Sequence, residues 1–201
     1  GRMRAFDEAR SVFGIGRTEG EQISQEERQR IREEAERKRA ERAEQERIDQ
    51  EEARQWAHAR FREAEPLGAW QNYLNSTRGL WVSPWPSSVR YHPACPTKPG
   101  GTTAPCILIA LQGPWRTQDG TFAANAFMGV QRIYLTDDLA HKRDWKAAKL
   151  NYGPSSGALI HLTQAQHVGE DIGLCEGLEN GLSLQMMIGD KLAIWAATGT
   201  S

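Results

Sequence analysis

From Ser24 to Glu65 the chain contains neither glycine nor proline, and nearly every second residue is charged. Nothing in such a stretch turns the backbone, so a long helix is the natural outcome. Ser24 followed by Glu27 is a capping box, in which each side chain satisfies a free backbone N–H of the first turn. About 40 helical residues would reach roughly 60 Å at 1.5 Å per residue. Glu33 with Arg37 and Glu34 with Lys38 stand four apart in the favoured order. Ile31, Ala35, Ala40, Ala43 and Ile48 make a thin, irregular seam, whereas a coiled coil needs large residues sustained at a and d. The sequence predicts a single solvated helix or a loosely packed hairpin rather than a strong dimer. Acidic and basic residues alternate along it, which points to solubility and spacing rather than DNA binding. Its last turns, with Trp56, Ala57 and Phe61, are apolar enough to dock on the globular region beyond Pro66.

The formal net charge of the 201 residues is −1, which excludes a uniform basic field for nucleic acid. Cys95, Cys106 and Cys175 never form a CxxC pair. That argues against a zinc ribbon or a disulfide framework and favours reduced thiols. There is no apolar signal region and no apolar run long enough to span a bilayer. The expectation is a soluble, cytoplasmic protein with no membrane partner. Before the charged stretch, Met3 to Gly16 places Phe6 and Phe13 at helical spacing and ends on glycines, predicting a short amphipathic helix.

Beyond Pro66 the sequence is ordinary and globular. Trp70–Leu74 predicts a short helix and Val89–His92 a strand. Cys106–Leu111 is a continuous apolar run, as for a strand covered on both faces. Gly129–Leu135 and Ala158–Leu162 predict two more strands. His92 and His161 fall on strands with no Cys or His at ligand spacing and are read as structural. Ile172–Cys175 is a short apolar strand, followed by Glu176-Gly177 and by Leu178, Leu182 and Met186 four apart on one helical face. Gly189-Asp190 breaks that helix and Leu192–Ala197 is a buried strand. The result is a strand–helix–strand unit of parallel type. A carboxylate at the C-terminal end of a parallel strand stands where α/β sheets place active sites. Its glycine leaves room for backbone or ligand.

Leu174-Cys175-Glu176-Gly177-Leu178-Glu179-Asn180-Gly181-Leu182-Ser183, followed by Leu192–Ala197, resembles the Toprim module of phage and plasmid DNA primases. Upstream, Arg90–Ala94, Arg132–Leu135, Ala148–Gly153 and Gly157–Leu162 stand in the order of the primase-like domain that precedes Toprim. Ala5–Arg10 with Gly14-Ile15-Gly16 resembles the helix after the zinc finger of these proteins. The chain departs from the pattern at Asn180, usually Thr, and at Gly181, usually Ala.

The resemblance implies an α+β fold. With the charged stretch read above, this gives a short helix over 1–20, a long charged N-terminal helix over 21–65, a mixed α/β primase-like domain over 66–168 and a truncated parallel βαβ Toprim unit over 169–201. It implies Mg²⁺-dependent nucleotidyl transfer in primer synthesis, in a bacterial host cell. Glu176 would be the catalytic general acid/base and part of the Mg²⁺ site, with partner aspartates on a strand expected after Ser201. Zinc is expected only in an upstream finger. Single-stranded DNA template and nucleotides are the implied partners, with a replicative helicase as a further one. Arg132, Lys142, Arg143, Lys146 and Lys149 concentrate positive charge and would line the nucleic-acid and nucleotide track. Trp145 among them suits covering the core better than stacking on a base. Glu179, in the first turn of its helix, suits stabilisation of the helix dipole at least as well as metal contact. The alternative function is a non-catalytic primase-like module that binds nucleic acid or a replication partner. A third reading, a topoisomerase or nuclease of the Toprim superfamily, does not account for the upstream motifs.

Overall fold

Ser24 starts the first helix as its sequence requires, Oγ accepting from Glu27 N at 3.1 Å. The computed structural model describes residues 24–116, 119–145, 148–163 and 171–198. The expected helix over Met3–Gly16 and the side chain of Lys146 lie outside them. Helix α1 runs unbroken over Gln25–Glu63, so the hairpin alternative does not hold. Lys38 pairs with Glu34 at 2.6 Å as expected, but Arg37 pairs forward with Glu41 at 3.7 Å. Glu33 instead accepts from Gln29 Nε2. All are exposed pairs that add little to stability.

Two units divide the chain, the first ending at Arg47 and the second beginning at Ile48. In the first, every residue of Ser24–Arg47 is exposed. The second is built on one eight-stranded sheet. Its strands are β1 (Glu65–Pro66), β2 (Val89–Pro96), β3 (Thr103–Arg116), β4 (Phe122–Tyr134), β5 (Lys149–Tyr152), β6 (Leu159–His161), β7 (Ile172–Glu176) and β8 (Ala193–Ala197). Helix α2 (Leu178–Ile188) joins β7 to β8, which pair in parallel, while the other strand pairs are antiparallel. This is a mixed sheet of the α+β class. Trp70–Leu74, expected as a short helix, splits into a 3-10 turn at Gly68–Trp70 and a π-type turn at Tyr73–Thr77.

β3 organises the sheet because it outruns its neighbours. β4 pairs with it along one edge. On the other edge β2 pairs from Thr103 to Ile109, and β6 then takes over at Gln112↔Leu159. The sheet therefore forks, β1 lying beyond β2, and β8 then β7 lying beyond β6. The segments 66–168 and 169–201, expected as separate domains, contribute strands to this same sheet.

Alternation along β3 separates two cores. Ile107, Ile109 and Leu111 face Ile133, Ile160, Ile194 and the α2 residues Leu178 and Leu182. Cys106 and Leu108 face Val130, Tyr134 and the α1 residue Ala57, with Ala64 just beyond that helix. Each fully buried Leu contributes about 1.5–3 kcal/mol, which makes Leu178 and Leu182 the anchors of α2. Burial of Cys106–Leu111 on both faces matches their continuous apolar run. β7 differs from its apolar sequence, since Ile172 and Leu174 are 40% and 69% exposed.

Candidate functional site

β7 ends at Glu176, and its register with Ala197 puts this residue at the C-terminal edge of the parallel pair. Gly177 follows at φ 81°, ψ 156°, a region in which only glycine is at ease. A Cβ there would meet nothing within 4 Å, so the glycine serves the turn rather than making room. Gly177 N donates to Ala197 O at 2.8 Å, and Asn180 Nδ2 donates to Glu176 O at 2.9 Å. The sharp turn is thus tied to the next strand and the next helical turn, leaving the Glu176 side chain exposed. Gly181, where Ala is usual in the resembling proteins, allows a close approach. A Cβ would come within 2.3 Å of Leu162 Cδ1.

One helical turn after Glu176, Glu179 gathers cations. Tyr73 Oη donates to Glu179 Oε1 at 3.3 Å, Lys142 Nζ lies at 3.4 Å and Arg78 Nε at 4.0 Å. Burial pushes the Glu179 carboxyl upward, but its own backbone N–H and the charges of Lys142 and Lys149 outweigh that and hold it below its ordinary value. Burial likewise works against the Lys142 ammonium, yet Tyr73 and Glu179 keep its proton on more firmly than usual. Three cations, Arg78, Lys142 and Lys149, therefore act on one ionised carboxylate in the first turn of α2, while alternation along β7 turns Glu176 to the opposite face of the sheet from Cys175 and α2. Among the influences that lower the Glu179 pKa, the backbone N–H of the first turn comes first and the cations second, so the helix end and the cluster act on Glu179 together.

The other expected basic residues go elsewhere. Arg132 is corrected from a surface contact to a buried one, 2% exposed. Its Nη1 donates to the carbonyls of Pro96 and Thr97 and to Tyr134 Oη. The rings of Trp56, Tyr134 and Tyr152 surround its guanidinium at 4.9–5.7 Å. The reason is register. Arg132 pairs with Leu150 and Ile133 with Lys149, so Arg132 and Lys149 point to opposite faces. Arg143 braces its own loop, donating to Leu135 O at 2.9 Å and pairing with Asp137. Trp145 tilts against Tyr134 on the core, as expected. His92 Nδ1 accepts from Ala94 N, a structural role. Tyr73 and Arg78 were not singled out by sequence. Nothing in their own segment marks them, because the carboxylate they serve lies about a hundred residues away.

A family described as a domain of unknown function, DUF7146, matches residues 51–162. The chain belongs to this family. The DUF7146 stretch runs from the last turns of α1 through β6, so Tyr73, Arg78, Lys142 and Lys149 fall inside it, and Glu176 and Glu179 follow it. No curated protein and no solved structure matches the chain. No helix among the described residues of this DUF7146 protein is long and apolar enough to cross a membrane. Among the described residues no group of three or more His, Cys, Asp or Glu side chains is placed to hold a metal ion. Mg²⁺ needs several oxygens at octahedral geometry, and Glu176 brings one carboxylate. The described residues alone do not make its site.

Proposed function

We propose that this DUF7146 chain works in primer synthesis as part of a DNA primase of the phage or plasmid type, with Glu176 as the general acid/base of nucleotidyl transfer. The observation that carries the reading is the exposed carboxylate at the C-terminal end of a parallel strand, where α/β sheets place active sites. In this reading Glu176 takes the proton from an attacking 3′-hydroxyl. Lys142, Lys149 and Arg78, gathered at Glu179 one helical turn further on, would draw phosphate charge toward this end of the sheet, since fixed cations stabilise it. Glu179 keeps the cations oriented and limits their mutual repulsion. Mg²⁺, when bound through additional ligands, would neutralise the transferring phosphoryl group.

The test is template-directed primer synthesis on single-stranded DNA by the full-length protein carrying Glu176→Gln. Loss of a general base lowers the rate by about 10²–10⁴-fold. Unchanged synthesis by this variant would remove Glu176 from the chemistry.

A further inference from the structure

A concavity lies on the sheet face opposite α2, at the fork where the edge of β3 passes from β2 to β6. It encloses about 560 Å³, within the range of small-molecule sites. Ser88 fixes its floor. Its Oγ donates to His161 O at 2.7 Å and its carbonyl accepts from Ala110 N at 2.8 Å, so the parting strands stay at a set separation. On one side the His161 ring lies flat on Trp195, with centroids 4.4 Å and planes 7° apart. Across from it Phe127 meets His58 and Phe61 at 5.0 and 5.8 Å, forming a second aromatic wall. The carboxamides of Gln112 and Asn125 also line the cleft, and neither has a hydrogen-bond partner among the described residues. Among the described residues no carboxylate lines it. Arg90, the one permanent charge among them, is drawn to the Phe61 ring and to the carbonyls of Phe61 and Ala64.

We infer that this cleft binds a nucleobase, its faces against the aromatic walls and its polar edge on Gln112 and Asn125. Each carboxamide presents a donor and an acceptor side by side, the complement of a base edge. The flat His161 face, opposed by the tilted rings of Phe127, His58 and Phe61, favours a π-system over a sugar. The lack of a carboxylate among the lining residues disfavours an amine. Burial lowers the His161 pKa, which keeps the ring neutral and suited to stacking. The cleft also stands in one row across the sheet with Glu176. Gln112 pairs with Leu159, Leu159 with Ala197 and Ala197 with Glu176. Three strand spacings put the two about 15 Å apart. The inference deepens the nucleotidyl-transfer reading, on which it rests for the source of the base.

Adenosine, guanosine, cytidine and uridine are the probes, because without phosphate they owe nothing to the cation cluster at Glu179. Equilibrium dialysis and saturation-transfer NMR on the full chain should show binding with a preference among the four. Gln112→Leu and Asn125→Asp should each weaken the preferred nucleoside about tenfold, in line with one lost base contact. Asn125 is exposed, so its variant keeps the fold, as circular dichroism should show. Glu176→Gln should bind nucleosides as before, which separates failure of this site from failure of catalysis. Competition by a single-stranded oligonucleotide would identify a strand as the source of the base. Competition by nucleotides alone would identify the free nucleotide. Absence of binding at millimolar nucleoside, or binding untouched by both cleft substitutions, overturns the inference.

Discussion

Glu179 is a half-buried carboxylate that stays ionised because its own backbone N–H and the nearby cations together outweigh burial. Its pKa lies below the ordinary 4.5 in the folded chain. A depressed carboxylate contributes stability that is fully present above the unfolded value and lost as pH falls through the folded one. Glu179→Gln should therefore cost about 1 kcal/mol at pH 7, discounted for the partly exposed cations. The gap between variant and wild type should close as pH falls below about 4.5. Urea midpoints measured from pH 7 to pH 3 check this, and a gap that is constant with pH would show that the fold does not favour the ionised Glu179 carboxylate. Arg132 shows the opposite outcome for a charge. Its sequence context suggested phosphate contact, but alternation on β4 turned it inward, where backbone carbonyls and three rings replace water. Which face a strand residue takes depends on register, and register is set by partners far away in the chain.

At the scale of elements, the turn from β7 into α2 depends on one dihedral pair. Gly177→Ala meets no atom, yet it should cost about 1–3 kcal/mol because an L side chain is strained at that φ and ψ. Thermal unfolding reads the loss, and an unshifted midpoint would mean the turn relaxes freely. Much of this level was legible in the sequence. The capping box at Ser24, the apolar run at Cys106–Leu111 and the β7–α2–β8 unit all follow from local chemistry and period. The fork at β3 was not legible, since it depends on where β2 stops and β6 begins along a shared edge. The π-type turn at Tyr73–Thr77 was also hidden. It brings Tyr73 and Arg78 to Glu179, about a hundred residues away, a meeting that no local pattern reveals.

For the whole second unit, the same fork ties the parts together. β8 takes β6 as one neighbour and β7 as the other, and α2 buries Leu178 and Leu182 against Ile107, Ile109 and Ile160. The segment 169–201 therefore owns neither its sheet nor its core. Prepared alone, it should show no cooperative thermal transition by circular dichroism, whereas a sharp transition would establish it as an independent domain. The sequence suggested a boundary there because the strand–helix–strand pattern is complete in itself. Periodicity reports which residues seek burial, not which distant strand supplies the cover.

β7 is the last strand in the sheet order, and that position has a consequence for solution behaviour. An outer strand offers its backbone groups to any passing strand, and two exposed aliphatics, Ile172 and Leu174, make the invitation stronger. The strand contains no lysine or proline to discourage such pairing. Asp171 flanks it on one side and Glu176 closes it on the other. Like charges at its two ends repel an identical strand approaching in antiparallel register, so the carboxylate at the strand's end also acts as a guard against self-association.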